Sequence, residues 1–293
     1  MASLKVRQGW DRTVYLVNIV LACITVIPLF LIIGKIVMEG YEQINWDFFT
    51  KTAPTAVEAM MAKRANTIEG SRTILPGGIA NGIVGTLLMT FVASIIAIPI
   101  GLLGGIYLSE NRSSRLAHVE RFATDLLQGT PSIVIGIIVY AWIVLPMRGY
   151  SALAGAVALA IMMLPLIIRS TEETLARLPK SFKESALALG CSYRKMVLKI
   201  LLPSAMGGLL TGILLAVSRI IGETAPLIMT ALGSTRISWT LDTPSSAVPL
   251  LIWEFYSDPN LQELIWSSSL FLLLLVLLLN FIAKRISART RYW

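Results

Sequence analysis

Two charged residues, Arg219 and Glu223, stand four positions apart inside an otherwise apolar stretch. At this spacing, both side chains are predicted to lie on one face of a helix. A charge at the bilayer centre costs at least about 2.5–3.5 kcal/mol, so such residues normally face a cavity or a partner. Because the planar fork of an arginine matches the oxygens of an oxyanion, the pair predicts an anion path. The alternative is a structural ion pair that locks two helices together.

A second group of candidate residues lies in the charged segment 176–203. Its members are Glu184, Ser185, Ala186, Gly190, Ile200, Leu202 and Pro203. Residues 181–189 are predicted to form a short helix, with Ser181 and Glu184 as a capping box and Gly190 as the C-terminal cap. A second helical piece is expected to end at a boundary at Pro203. A capped helix of this kind can enter a groove on a partner and be pushed.

The sequence offers no group with which a membrane enzyme would act. The single histidine, His118, lies in a short basic segment, and zinc sites need several nitrogen or sulfur ligands. A phosphate loop ending in Gly-Lys-Ser/Thr is also missing, since Gly34 and Lys35 are followed by Ile36. We therefore expect this chain to bind no metal or cofactor and to catalyse nothing. Any ATP, with its Mg²⁺, would be held by another chain.

The composition indicates a membrane protein and excludes a soluble enzyme. Of the 293 residues, 55% are hydrophobic and only 14% are charged, whereas soluble domains have about 25% charged residues. Six charge-free runs are about long enough to cross the roughly 30 Å hydrocarbon layer as helices. They are Thr13–Gly34, Thr73–Ser109, Leu126–Met147, Gly149–Ile168, Ile200–Ser218 and Leu264–Ala283. The second helix is expected to start near Gly82, and the fifth to continue beyond Ser218 with a break near Gly222 and Pro226.

The positive charges predict the orientation. Of the 25 Lys and Arg residues, 16 lie in segments 1–12, 109–121, 176–203 and 284–293, and the intervening segments hold six. By the positive-inside rule, both termini are predicted to be cytoplasmic. Arg169 is expected to form a local ion pair with Glu172 or Glu173 at the cytoplasmic end of the fourth span. The basic tail, with Lys284, Arg285, Arg289 and Arg291, is expected to lie near anionic lipid.

The segment 176–203 resembles the EAA coupling loop of permease subunits in binding-protein-dependent ABC importers. The family pattern is Glu-Ala-Ala, three residues, Gly, nine residues, Ile, any residue, Leu, Pro, and the one departure is Ser185 in place of Ala. The resemblance implies an all-α membrane protein with six transmembrane helices and the type I ABC importer permease fold. It also implies that the residues of this pattern couple the chain to an ATPase.

The stretch 218–227, Ser-Arg-Ile-Ile-Gly-Glu-Thr-Ala-Pro-Leu, resembles the phosphate importer permeases, and the PstA type more than the PstC type. The likeness covers residues 46–283. It implies that Arg219, Glu223 and Thr224 line a path for inorganic phosphate. Two roles for Glu223 stay open: it accepts a hydrogen bond from the P–OH group of hydrogen phosphate, which sulfate lacks at neutral pH, or it neutralises Arg219 between transport events.

The resemblance thus implies a permease subunit of an ATP-driven phosphate importer in the bacterial inner membrane. The expected partners are a PstC-type permease, two PstB-type ATPase subunits and a PstS-type extracytoplasmic phosphate-binding protein. Residues 1–70 are predicted to hold the N-terminal tail, the first span and an extracytoplasmic loop, 71–284 the transmembrane core, and 285–293 the tail. The rival functions are an ABC permease for sulfate or molybdate, and an intramembrane enzyme or ion channel that works without an ATPase.

Overall fold

The computed structural model describes residues 4–69 and 74–289, and its secondary structure is helical. Two five-residue turns are π-helical, Tyr140–Val144 and Val197–Leu201. The predicted division after residue 70 and Arg291 of the predicted tail lie outside the described residues. In chain order the α-helices are α1 (Leu4–Gly40), α2 (Trp46–Thr50), α3 (Ala56–Glu69), α4 (Ala80–Glu110), α5 (Arg115–Gly129), α6 (Ser132–Val139), α7 (Leu145–Met147), α8 (Ala152–Ala176), α9 (Lys180–Ala188), α10 (Tyr193–Met196), α11 (Leu202–Ile220), α12 (Ala225–Thr230), α13 (Val248–Ser257) and α14 (Gln262–Arg289).

The chain is a multi-pass membrane protein. Among the described residues, five helical stretches are long and apolar enough to cross a bilayer, and they are Trp10–Gly40, Ala80–Glu110, Ala152–Ala176, Tyr193–Ile220 and Gln262–Ala288. The number rises to six when the bent pair Arg115–Gly129 and Ser132–Met147 is taken as one crossing. Each of the six predicted spans therefore has a helical counterpart.

The prediction of a continuous third span over Leu126–Met147 is wrong. The chain bends by 105° between α5 and the helix that starts at Ser132. Thr130 is extended, with φ −76° and ψ 130°, because the residue before a proline disfavours the helical region. Pro131 also has no N–H to continue the helix. The hydroxyl of Thr130 instead donates to the carbonyl of Leu126 at 2.7 Å, and so satisfies one of the carbonyls left open where α5 ends.

The predicted boundary at Pro203 is also wrong, because the helix runs on from Tyr193 to Ile220. A π-helical turn ends at Leu201, two residues before the proline. The same arrangement occurs where the turn Tyr140–Val144 precedes Pro146. A proline ring clashes with the carbonyl four residues earlier. The wider π-helical turn before each proline relieves this clash, so the helix continues beyond the proline.

The helix α8 lies at the centre of the bundle, and both α4 and α11 pack against it through glycines. A Cβ added at Gly105 would stand 2.7 Å from the carbonyl oxygen of Ile168, and a Cβ at Gly101 would stand 2.8 Å from the Cβ of Ile167. Gly212 of α11 has equally little room beside Ser170. In lipid, where the hydrophobic effect does not drive helices together, small residues allow the close approach that dispersion forces need.

A cap of short elements covers the end of the bundle at which α8 begins. The amides of Ala152 and Leu153 donate to the carbonyls of Thr243 and Leu241 at 2.9 and 2.8 Å, so the loop 231–247 closes the start of α8. In the same cap, α3 begins with a capping box, in which the Thr55 amide donates to Glu58 at 2.8 Å and the Glu58 amide to the Thr55 hydroxyl at 3.3 Å.

Candidate transport path and coupling surface

Arg219 lies at the open edge of the bundle, one residue before the end of α11. It is exposed, and it borders a small cleft together with Gln128 and Thr130 at the end of α5. Pro165, near the midpoint of α8, lines the same cleft. Arg219 is therefore level with the middle of α8. The cleft volume of about 30 Å³ is enough for about one or two water molecules, so a larger oxyanion needs space outside it.

Arg219 and Glu223 do not share a helix face, contrary to the prediction. The helix α11 ends at Ile220, and residues 221–224 form a turn in which the Glu223 amide donates to the Ile220 carbonyl at 3.1 Å. Within the described part of the chain, no ion pair joins Arg219 to Glu223, so the alternative of a structural ion pair is not realised here. The turn confirms the predicted break near Gly222.

Thr224 stands at the start of α12 and fixes how the chain resumes after the break. Its carbonyl accepts hydrogen bonds from the amides of Leu227 and Ile228, both at 3.1 Å. The following Pro226 packs so closely on α6 that a Cβ at Gly136 would come within 2.8 Å of its Cα. Glu223 and Thr224 are both half-buried. The break therefore places a carboxylate and a hydroxyl close to Arg219 in the chain, but on a separate, non-helical segment.

The predicted helix 181–189 is confirmed as α9, but its predicted N-terminal cap is wrong. The N-cap position is Pro179, and no side chain caps the helix. The amide of Phe182 already donates to the carbonyl of Pro179 at 3.1 Å, so Ser181 lies inside the first turn. Proline is pre-set for the start of a helix, and this moves the start ahead of the serine.

The predicted cap at Gly190 is confirmed. Gly190 has φ +75°, and its amide donates to the Leu187 carbonyl at 2.9 Å, while the Cys191 amide donates to the Ala186 carbonyl at 3.1 Å. These two bonds form a Schellman motif, which a residue in the left-handed conformation completes and which glycine adopts without strain.

The helix α9 borders an open groove. Phe182, Ser185 and Leu189, spaced by three and four residues, line an open groove with Ile200, and Leu189 is 88% exposed. Ala186 lines the same groove but is itself buried, in an apolar cluster that also holds Leu201 and, at its margin, Ile200 and Leu202. The two halves of the 184–203 pattern thus meet in one cluster, and they leave an apolar surface open for a partner.

Glu184 and Pro203 of the pattern are exposed, as Ser185 and Gly190 are. Glu184 lines a cleft with Glu110, Ser109 and Leu178, next to the end of α4. Pro203 stands at the start of α11, where its missing N–H is tolerated beside the π-helical turn. Both are therefore accessible to a partner that covers α9.

Charged side chains tie α4, α5 and α8 together at the end where α8 finishes. The predicted ion pair between Arg169 and Glu172 is present at 3.6 Å, and Arg169 also pairs with Asp125 of α5. Glu172 accepts a hydrogen bond from Arg121 at 2.8 Å. Sequence reasoning missed Arg121 and Asp125, as it missed the ion pair between Lys183 of α9 and Glu110 of α4. The only signal was that opposite charges occur in segments predicted to lie on one side of the membrane.

Comparison with known proteins identifies the family. The pattern of the family described as "binding-protein-dependent transport system inner membrane component" matches residues 97–292. The chain belongs to this family. Membership implies a substrate-binding protein and an ATPase as partners of this inner-membrane subunit.

Similar proteins support the assignment. The chain is 37% identical, over its whole length and 96% of the relative, to the phosphate transport system permease protein PstA of Yersinia pestis. It is 42% identical to the protein of the same name from Pasteurella multocida, over 71% of this chain and 75% of that one. Among solved structures, a chain of the MetNI methionine ABC transporter in an inward-facing form superposes with a TM-score of 0.60 at 21% identity, covering 71% of this chain and 94% of that chain. The predicted all-α ABC importer permease fold is confirmed.

Proposed function

We propose that the chain is the permease subunit of an ATP-driven importer of inorganic phosphate and forms half of its translocation path. The observation that carries the proposal is the likeness, over the full length of the chain, to relatives that are named phosphate transport permeases. The break after α11 supports it, because the Gly-Glu-Thr stretch follows an arginine that is exposed in the described part of the chain.

The proposed path runs past Arg219, Glu223 and Thr224. An arginine facing lipid at mid-depth would cost at least about 2.5–3.5 kcal/mol. We therefore place a second permease subunit, of PstC type, over the open edge, so that Arg219 faces a cavity between the two subunits. There, its fork can bind two oxygens of a phosphate, and the hydroxyl of Thr224 can donate to a third.

For Glu223, the structure favours the role in anion discrimination. Among the described residues it has no ion pair with Arg219, so its carboxylate is free to accept a hydrogen bond from the P–OH group of hydrogen phosphate. Sulfate has no such proton at neutral pH and would leave the carboxylate unpaired. The test is sulfate inhibition of phosphate uptake in Glu223→Gln. Stronger inhibition than in the wild type is expected, and unchanged inhibition would leave only the role of charge neutraliser.

Coupling is proposed to act through the 184–203 pattern. An ATPase subunit of PstB type would cover Phe182, Ser185 and Leu189, whose exposed apolar surface fits a protein groove. ATP and Mg²⁺ would be bound there and not by this chain. Two such subunits, drawn together by ATP, would push α9 and reopen the permease pair toward the other side. This places both termini in the cytoplasm and the PstS-type phosphate-binding protein at the opposite face.

Reconstitution tests the proposal. The four components are placed in proteoliposomes, and ATP-dependent uptake of labelled phosphate is compared for the wild type, Arg219→Ala and Arg64→Ala. Loss of a charge-assisted hydrogen bond of about 1.5–3 kcal/mol predicts a roughly 10- to 150-fold fall for Arg219→Ala. The control, Arg64→Ala, removes an equally exposed charge from α3 and should transport normally. Equal uptake by both variants would refute the path, and competition by sulfate or molybdate equal to that by phosphate would favour the rival oxyanion importer.

A further inference from the structure

The contact that distinguishes α9 from a simple docking helix is the ion pair between Lys183 and Glu110. Glu110 is the last residue of α4, and Lys183 directly precedes Glu184. The side chain of Glu110 is only 13% exposed and that of Lys183 only 25%, so both are shielded from water. Shielding strengthens the attraction, because the screening that weakens surface ion pairs is reduced.

We propose that this pair is the link through which a displacement of α9 reaches α4, which makes Lys183 and Glu110 positioning residues for coupling. The inference rests on the proposed function, since it takes α9 to be the helix that an ATPase pushes. Phe182, Ser185 and Leu189 line the open groove, whereas Lys183, about 100° round the helix from Phe182, reaches Glu110 of α4. One face of the helix is thus available to a partner while the other holds the bundle.

The ion pair differs in kind from the other contacts of α9. Ala186 packs in the apolar cluster with Leu175 and Met196, and apolar contacts are not directional, so they let helices slide. Lys183–Glu110 is the polar contact that joins α9 to α4 among the residues that the structure describes. A directional contact between two shielded charges fixes the register of α9 on the end of α4.

From Glu110, a continuous set of contacts leads to the cleft beside Arg219. Arg121 donates to the carbonyl of Leu108 in α4 at 3.1 Å and to Glu172 of α8 at 2.8 Å. Glu172 contacts Arg169, which pairs with Asp125 of α5. The helix α5 then ends at the bend beside the cleft. A displacement of α9 can therefore be transmitted through packed and charged contacts to the bend between α5 and α6.

A thiol at the bend reports whether that path carries motion. Gly129 has nothing within 4 Å of an added Cβ, so Gly129→Cys fits without strain. In a background with Cys23→Ser and Cys191→Ser, the assembled complex is treated with a thiol reagent, with and without ATP. Three further variants are compared in this background: Glu110→Gln, Lys183→Gln, and the exchange Glu110→Lys with Lys183→Glu. Lys51→Gln is the control, because it breaks an exposed ion pair elsewhere in the chain. In this pair, Lys51 lies 2.7 Å from Asp47 of α2.

We expect ATP to change the labelling rate in the background protein and in Lys51→Gln. In each single variant the change should fall at least about tenfold, the lower end of what a charged hydrogen bond is worth, although the ATPase subunits still co-purify. The exchange should restore most of it, because it remakes the ion pair with the charges reversed. A full ATP response in Glu110→Gln, no rescue by the exchange, or no response in the background protein would each overturn the inference. Labelling does not depend on the anion carried, so an ATP response without phosphate uptake would refute the proposed substrate and leave the link supported.

Discussion

The contact between α4 and α8 allows a prediction whose size follows from the structure. A Cβ at Gly105 would stand 2.7 Å from the carbonyl oxygen of Ile168 and closer still to the Cβ of Thr171, whereas ordinary contact begins at 3.4 Å. Neither atom can swing aside, because one belongs to the backbone and the other is bonded directly to it. Gly105→Ala must therefore push the two helices apart by about 0.7 Å or more.

The expected cost combines two opposing effects. Overpacking a core contact costs about 1–3 kcal/mol, and replacing glycine by alanine in a helix gains up to about 1 kcal/mol. Gly105→Ala should therefore lower the free energy of unfolding by about 0–2 kcal/mol. Gly34 of α1 has nothing within 4 Å of an added Cβ, so Gly34→Ala has the gain without the clash. The two variants should differ by about 1–3 kcal/mol, which isolates the steric effect.

The assay is unfolding of the full chain, purified in mild detergent and titrated with sodium dodecyl sulfate, followed by tryptophan fluorescence. Gly105→Ala should unfold at a lower fraction of dodecyl sulfate than Gly34→Ala. It should also lower ATP-dependent uptake in the assembled complex, because α8 lines the cleft beside Arg219. Equal unfolding midpoints for the two variants would refute the reasoning, since they would mean that α4 and α8 are not in close contact at Gly105.

Three further predictions follow from local contacts. Gly190→Ala forces a side chain to φ +75°, at a cost of about 1–2 kcal/mol, and should speed hydrogen exchange of the Cys191 amide about tenfold; an unchanged rate would contradict the cap. Burial raises the pKa of Glu254 above its ordinary value of 4.5, so the folded state holds a proton that the unfolded state releases, and stability falls as the pH rises above that value. Glu254→Gln should therefore be more stable than the wild type at about pH 8 but not at about pH 4, as thermal unfolding would measure; equal stability at both would count against burial as the cause. Arg121→Lys keeps the charge but loses the fork, and it should lower thermal stability by about 1–2 kcal/mol, whereas exposed Arg115→Lys should not; matching melting curves would show that the fork is not needed.

Much of the fold could be predicted because its signals are local. An apolar run in lipid must satisfy its backbone hydrogen bonds within itself, so composition over about 20 residues is enough to predict a spanning helix. Gly190 and Pro226 act through their own backbone geometry, and the cap and the break were both predicted correctly. The errors at Ser181 and Leu126–Met147 have one cause, since a nearby proline, Pro179 or Pro131, moved the start or the end of a helix.

The sequence by itself determined the membrane class, the spans other than the third and the helix of the 184–203 pattern, because each depends on neighbours along the chain. Only the tertiary structure decided which charges meet. Glu110 and Lys183 are 73 residues apart, and Arg121 and Glu172 are 51 apart. The tertiary structure also decided that Arg219 and Glu223 lie on different segments. Pairing across helices depends on how glycine-lined surfaces fit together, and that fit is a property of shapes in three dimensions that spacing along one chain does not contain.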